Sequence, residues 1–125
     1  MRRFEIIAVL LSLALPATVA HAEGDAARGK VVYEDRCGGC HALDANRVGP
    51  AHRGVYGRKA GGAPGYDYSL ALSRSGLVWT GANLDLWLRD PRALVPGTRM
   101  AFHLEDPRER ADVIAFLRAS SAAKR

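Results

Sequence analysis

Cys37-Gly38-Gly39-Cys40-His41 holds both cysteines of the 125-residue chain, and its reading decides the fold. A Cys-x-x-Cys pair by itself serves as a redox-active dithiol, as half of a zinc site, or as two thioether attachment points. The histidine directly after the second cysteine favours the last. Two thioether bonds hold a porphyrin edge while the adjacent imidazole reaches the iron. Zinc needs further ligands, and past position 41 only His52 and His103 remain, neither at a spacing that pairs with the motif. A thioredoxin-like dithiol is expected beside a strand of a βαβ unit, whereas the residues before Cys37 read as helix. The segment therefore predicts one covalently attached haem c, with Cys37 and Cys40 as thioether sites and His41 as an iron ligand.

A second iron ligand has to come from a distant part of the chain. Past the initiator there is one methionine, in Pro96-Gly97-Thr98-Arg99-Met100-Ala101-Phe102. A lone methionine is usually packing, but this one follows a Pro-Gly turn signal and lies outside any helical periodicity. Met100 is thus a candidate ligand, and the spacing leaves His52 and His103 as rivals.

Three helices are predicted. Asp25 can cap the first, which runs towards Cys37 with Gly29 and Tyr33 on one face. The second starts at Asn83, carries Leu84, Trp87 and Leu88 on one side, and stops before Pro91. The third has an N-cap in Asp106, a proline at its first position and a capping-box glutamate at 109; Val113, Phe116 and Leu117 form its apolar stripe, read as ordinary core. Residues 42 to 77 are rich in Gly, Pro and polar side chains, too irregular for a second packed layer. In so small a chain a large apolar cofactor would serve as the core for such loops.

Residues 1–22 have the form of a signal peptide. Arg2 and Arg3 precede an apolar run from Ile6 to Leu15, and Pro16 leads to Ala20-His21-Ala22, a small-residue cleavage signal. The run falls short of the ~20 residues that span a bilayer. Cleavage after Ala22 leaves residues 23–125 as the domain, with no membrane span. The whole chain carries a formal charge of +5, and the basic excess survives processing. The basic residues are scattered and form no nucleic-acid motif, so no nucleic-acid partner is expected. A basic surface instead speeds encounter with acidic protein partners.

In order along the chain come Gly24-Asp25 through His41, Val48-Gly49-Pro50, Gly54-Val55-Tyr56-Gly57-Arg58-Lys59-Ala60-Gly61, Ala63-Pro64-Gly65-Tyr66-Asp67-Tyr68, Trp79, the 96–102 loop, and Arg110-Ala111-Asp112-Val113-Ile114-Ala115-Phe116-Leu117. This succession resembles class I cytochrome c, in the bacterial branch close to the mitochondrial protein. The resemblance implies an all-α cytochrome c fold, three main helices and long loops around one haem. It makes His41 and Met100 the axial ligands, has Pro50 support His41 through its carbonyl, and places Thr98 on the methionine side. Arg58, Tyr68 and Trp79 match positions that hold the haem propionates. Two departures stand out: Trp87 where the family often has a tyrosine near the methionine sulfur, and Leu72 in place of an asparagine.

The expected function is that of a periplasmic, monomeric one-electron carrier between membrane redox complexes, not an enzyme. Its expected partners are acidic docking surfaces of a quinol-oxidising cytochrome complex, a terminal oxidase or a photosynthetic reaction centre. Lys30, Arg36, Arg47, Arg92 and Arg99 are expected to form the docking rim, which Glu105 and Asp106 make less complete. The alternatives are a haem enzyme or gas sensor with an open distal site, and a soluble haem subunit of a respiratory complex.

Overall fold

A computed structural model describes residues 23–122; the expected signal peptide at 1–22 lies outside them. The described chain is helical, its one extended pairing an isolated antiparallel bridge between Lys59 and Val78. Helix α1, Ala26–Val32, starts where Asp25 accepts a hydrogen bond from the Arg28 N–H, as an N-cap should. It passes into a π-helical turn, Tyr33–Cys37, closed by the Gly38 N–H on the Tyr33 carbonyl. The wider turn ends the helix at the first cysteine.

Helix α2, Leu70–Ser73, is a single capped turn that periodicity did not predict. Helix α3, Gly81–Arg89, begins two residues before the expected Asn83, because the Thr80 hydroxyl accepts from the Asn83 N–H and is the cap. Asp90 then extends the chain and caps a further short helix, α4, Pro91–Leu94, with proline at its first position. Helix α5, Pro107–Ala122, is capped by Asp106 on the Arg108 N–H.

Helices α1 and α5 pack closely enough that a Cβ on Gly29 would lie 1.9 Å from the Asp112 carbonyl oxygen. Only glycine fits there. Tyr33 lays its ring against Phe116, centroids 5.1 Å apart. The same contact buries Asp112, which accepts from the Arg28 guanidinium at 3.0 Å and from the Asp25 N–H at 2.7 Å. On the other side, buried Arg110 joins α5 to α3 through Asp85 at 2.7 Å and caps the Leu104 and Glu105 carbonyls. A helix that reads as an apolar stripe with a polar back thus buries two charges, each paired.

The core is made by Leu84, Leu88, Leu104, Val113, Leu117, Trp79 and Trp87. It does not close on itself. Most of these side chains line a cavity of about 470 Å³ between the Cys37–His41 segment and the 98–102 loop, within the ~300–1,000 Å³ of ligand sites.

Candidate functional site

Cys37, Cys40 and His41 enter the cavity wall as the π-turn unwinds, and the Cys40 and His41 N–H groups both bond the Cys37 carbonyl. His41 Nδ1 lies 2.9 Å from the Pro50 carbonyl. A carbonyl only accepts, so Nδ1 carries the proton and Nε2 keeps its lone pair. Burial holds the imidazole below its ordinary pKa, opposed by the bond to Pro50. The ring is therefore neutral, as a metal ligand must be. A Cβ at position 49 would stand 2.1 Å from His41 Cε1, so Gly49 is the only residue that lets the ring lie there.

Cys37 is half-buried, and desolvation pushes its thiol up to about 11. A dithiol redox centre needs the opposite, an attacking cysteine with a lowered pKa. A raised thiol pKa suits an attachment point better than a disulfide-exchanging centre.

Met100 and Thr98 line the same cavity. The Thr98 N–H bonds the Val95 carbonyl across Pro96 and Gly97, whose φ of 94° closes the turn. Leu72 and Trp87 also line the cavity, with Trp87 edge-on to Trp79 at 5.1 Å. His103 lies elsewhere, half-exposed with its Nε2 3.4 Å from Asp90. His52 does line the cavity, but its ring stacks on His41 and shares a 3.0 Å hydrogen bond with the Tyr33 hydroxyl. Burial, then His41 and Arg58, hold His52 at about 3, so it too is neutral.

Arg58, Tyr68 and Trp79 all line the cavity. Backbone bonds from Gly57 N to Trp79 O and from Trp79 N to Arg58 O, each 2.8 Å, fix the first and third. The Arg58 guanidinium donates to the Ala51 and Arg53 carbonyls, while its Nε is buried without a partner, the one such side-chain atom among the described residues. Leaving a buried donor unmade costs about 1–3 kcal/mol. Tyr68 accepts from the Ala63 N–H, which frees its own proton for an acceptor outside the chain. Two donors without protein acceptors, on the wall of an apolar cavity, suit a carboxylate-bearing apolar group.

The basic side chains divide. Arg36 and Arg99 line the cavity, Arg36 with its guanidinium 5.6 Å over the Phe102 ring. Lys30 pairs with Glu34, Arg47 bonds the Gly38 carbonyl, and Arg92 is exposed on α4. Of the rim read from sequence, two members border the opening. Val113 and Leu117, read as plain core, line the cavity as well, as do Tyr33, Arg36 and Phe102. Gly29 and Tyr33 sharing a face was the signal for the tyrosine's burial; nothing in the sequence reported which histidine it meets.

The chain matches the family model for cytochrome c over residues 26–121. It is 47% identical over 102 residues to cytochrome c2 of Rhodomicrobium vannielii, covering 78% of this chain and 81% of that one. To cytochrome c of Euglena viridis it is 44% identical over 98 residues, covering 76% and 96%. Among solved structures, cytochrome cH from Methylobacterium extorquens superposes with a TM-score of 0.74 at 48% identity, covering 77% of this chain and 99% of that one. Ferricytochrome c2 from Rhodopseudomonas palustris gives 0.71 at 40% identity, covering 76% and 97%.

Proposed function

The chain belongs to the cytochrome c family, and from that premise we propose that it is a periplasmic carrier whose iron is held between His41 and Met100. Membership itself brings one haem c, bound covalently through cysteines, of which the chain has Cys37 and Cys40, and electron carriage as the activity. The bound group supplies an iron that changes between ferrous and ferric. The chain's residues decide how it does so.

The observation that carries the ligand reading is the His41 ring, neutral, with Nδ1 on Pro50 and Nε2 without a hydrogen-bond partner among the described residues, in a cavity that Met100 also lines. A methionine in the second position favours the reduced state and leaves no coordination site for substrate. That separates a carrier from the enzyme and sensor readings. Arg58, Tyr68 and Trp79 hold the propionates, with Arg58 Nε and the Tyr68 hydroxyl as donors. Thr98 lines the methionine side, and Trp87 and Leu72 make it less hydrogen-bonded; an apolar, water-poor wall raises the potential by penalising the extra charge of the ferric form.

The domain spans residues 23–125 after removal of a signal peptide at 1–22. No helix among the described residues is long and apolar enough to cross a membrane. Arg36 and Arg99 at the opening dock on acidic faces of membrane redox complexes, a quinol-oxidising cytochrome complex as donor and a terminal oxidase or photosynthetic reaction centre as acceptor. Weak, salt-sensitive docking suits a carrier that must leave.

The test is oxygen uptake by washed membranes supplied with the haem-loaded protein. Uptake should depend on the protein, fall with ionic strength, and fall further in an R36A/R99A variant at low salt. Uptake independent of salt and of both arginines would contradict the docking reading.

A further inference from the structure

Tyr33, buried, and His52, partly buried, are polar and turned towards each other beside the His41 ring, and nothing in the electron-carrier reading so far requires them. Tyr33 is 5% exposed. Its backbone lies in the π-turn, its ring rests on Phe116 of α5, and its hydroxyl lies 3.0 Å from His52 Nδ1. His52 is fixed by its own N–H on the Ala42 carbonyl and by the Val55 N–H on its carbonyl. Its ring then stacks on His41, centroids 4.0 Å apart and planes 18° from parallel. A continuous series of contacts runs from α5 through Tyr33 and His52 to His41.

The bond from His41 Nδ1 to Pro50 fixes one direction within the imidazole plane. The tilt of the ring about that direction is set by what packs on its faces, Gly49 and His52. A flat partner lying parallel at 4.0 Å fixes that tilt, and an aliphatic side chain of similar bulk has no flat face with which to do so. The flat partner must itself be held, and the Tyr33 hydroxyl holds it while satisfying both buried groups.

We infer that Tyr33 and His52 form a positioning unit that fixes the plane of the His41 imidazole and thereby tunes the electronic state of the iron it binds. The inference rests on His41 being an iron ligand. Partners in the outer shell of a metal site set ligand orientation and basicity, and so the metal's potential. Tyr33 acts only through His52.

The test uses the full-length, haem-loaded protein and three variants: Tyr33→Phe, His52→Leu and the double. Two readouts are taken, the low-temperature electron paramagnetic resonance g values of the oxidised form, which respond to the relative planes of the axial ligands, and the reduction potential. Each single variant should shift both while keeping the near-infrared band of methionine-bound iron. The double should match His52→Leu alone, because the two residues act as one unit. Unshifted g values in the single variants, or fully additive shifts in the double, would overturn the inference. If His52→Leu fails to fold, Tyr33→Phe decides alone: a shift supports the unit and no shift overturns it. A wild-type spectrum without histidine and methionine ligation would overturn the ligand reading and this inference together, whereas silent variants of a properly ligated wild type overturn this inference alone.

Discussion

The two walls of the cavity are built in opposite ways. The histidine wall, residues 37–53, is laced by its own backbone: Gly49 N to Cys40 O, Arg47 N to Gly49 O, His52 N to Ala42 O and Arg53 N to Leu43 O. The methionine wall is a strap. It is tied by Thr98 N to Val95 O at one end and Leu104 N to Leu88 O at the other. Between them, among the described residues, no backbone N–H from Arg99 to His103 bonds another backbone group, and the strap's side-chain ties are the Arg99 guanidinium on the Asp67 carbonyl and His103 Nε2 3.4 Å from Asp90. Segments with few internal bonds open at the lowest free energy. The contrast assigns the histidine side to anchoring and the methionine side to the part that yields first.

Removing each proposed ligand breaks the comparison most sharply. His41→Ala should abolish most haem-loaded protein, measured as haem per purified chain, because the wall it belongs to anchors the group. Met100→Ala should keep the haem and the fold but bind carbon monoxide, read from the reduced spectrum. Equal losses from the two substitutions would erase the distinction.

The histidine wall also depends on the helix pair behind it. Gly29→Val should destabilise the holoprotein by at least ~1–3 kcal/mol in thermal unfolding, since overpacking here pushes backbone against backbone. Asp112→Asn weakens the charge-assisted bonds to Arg28 and should lower the stability of the holoprotein at neutral pH, by less than a buried pair would because Arg28 is half exposed. The bonds from Arg28 hold the Asp112 carboxyl below its ordinary value. The sign follows: the stabilisation is complete above the unfolded value of 3.8 and is lost as pH falls through the lower folded one. The wild type should lose its advantage over Asp112→Asn in that acid window. A gap that does not change with pH would exclude the ion pair as its cause.

On the strap, Arg99→Ala removes one of the two side-chain ties. If that bond is worth about 1 kcal/mol, cyanide should displace the methionine about fivefold faster in stopped-flow mixing. The smallest effect is expected at high pH. Lys30 is occupied by Glu34, Lys59 sits on the bridge to Val78, and arginine 99, which stays protonated, cannot replace Met100 on iron. Loss of the near-infrared band should therefore come late in an alkaline titration, and Lys59→Ala should leave it unmoved.

How much of this was legible in the sequence differs between the same two walls. The cysteines and the following histidine need only adjacency, and adjacency is what a sequence reports. The Pro96-Gly97 turn marked the strap, and α5 announced itself by Asp106 and Pro107. Besides the short helices α2 and α4, three features escaped. The start of α3 moved because a threonine followed by glycine competes weakly as a cap signal with Asn83. Arg110 and Asp112 sit on α5 as ordinary polar positions, and only the approach of α1 and α3 buries them. His52 read as a stray candidate ligand, because its stack on His41 is made by a loop that folds back over eleven residues with no periodicity to betray it. Periodicity gives the face of a helix; it does not say what arrives there.

The account stands on His41 and Met100 holding one iron between two unequal walls, and absorption spectra of the purified, haem-loaded protein test that most directly. The oxidised form should show the weak near-infrared band of a methionine–iron bond, and the reduced form should be sharp and unaltered by carbon monoxide. Absence of the band together with ready carbon monoxide binding would free Met100, open the distal side and contradict the account.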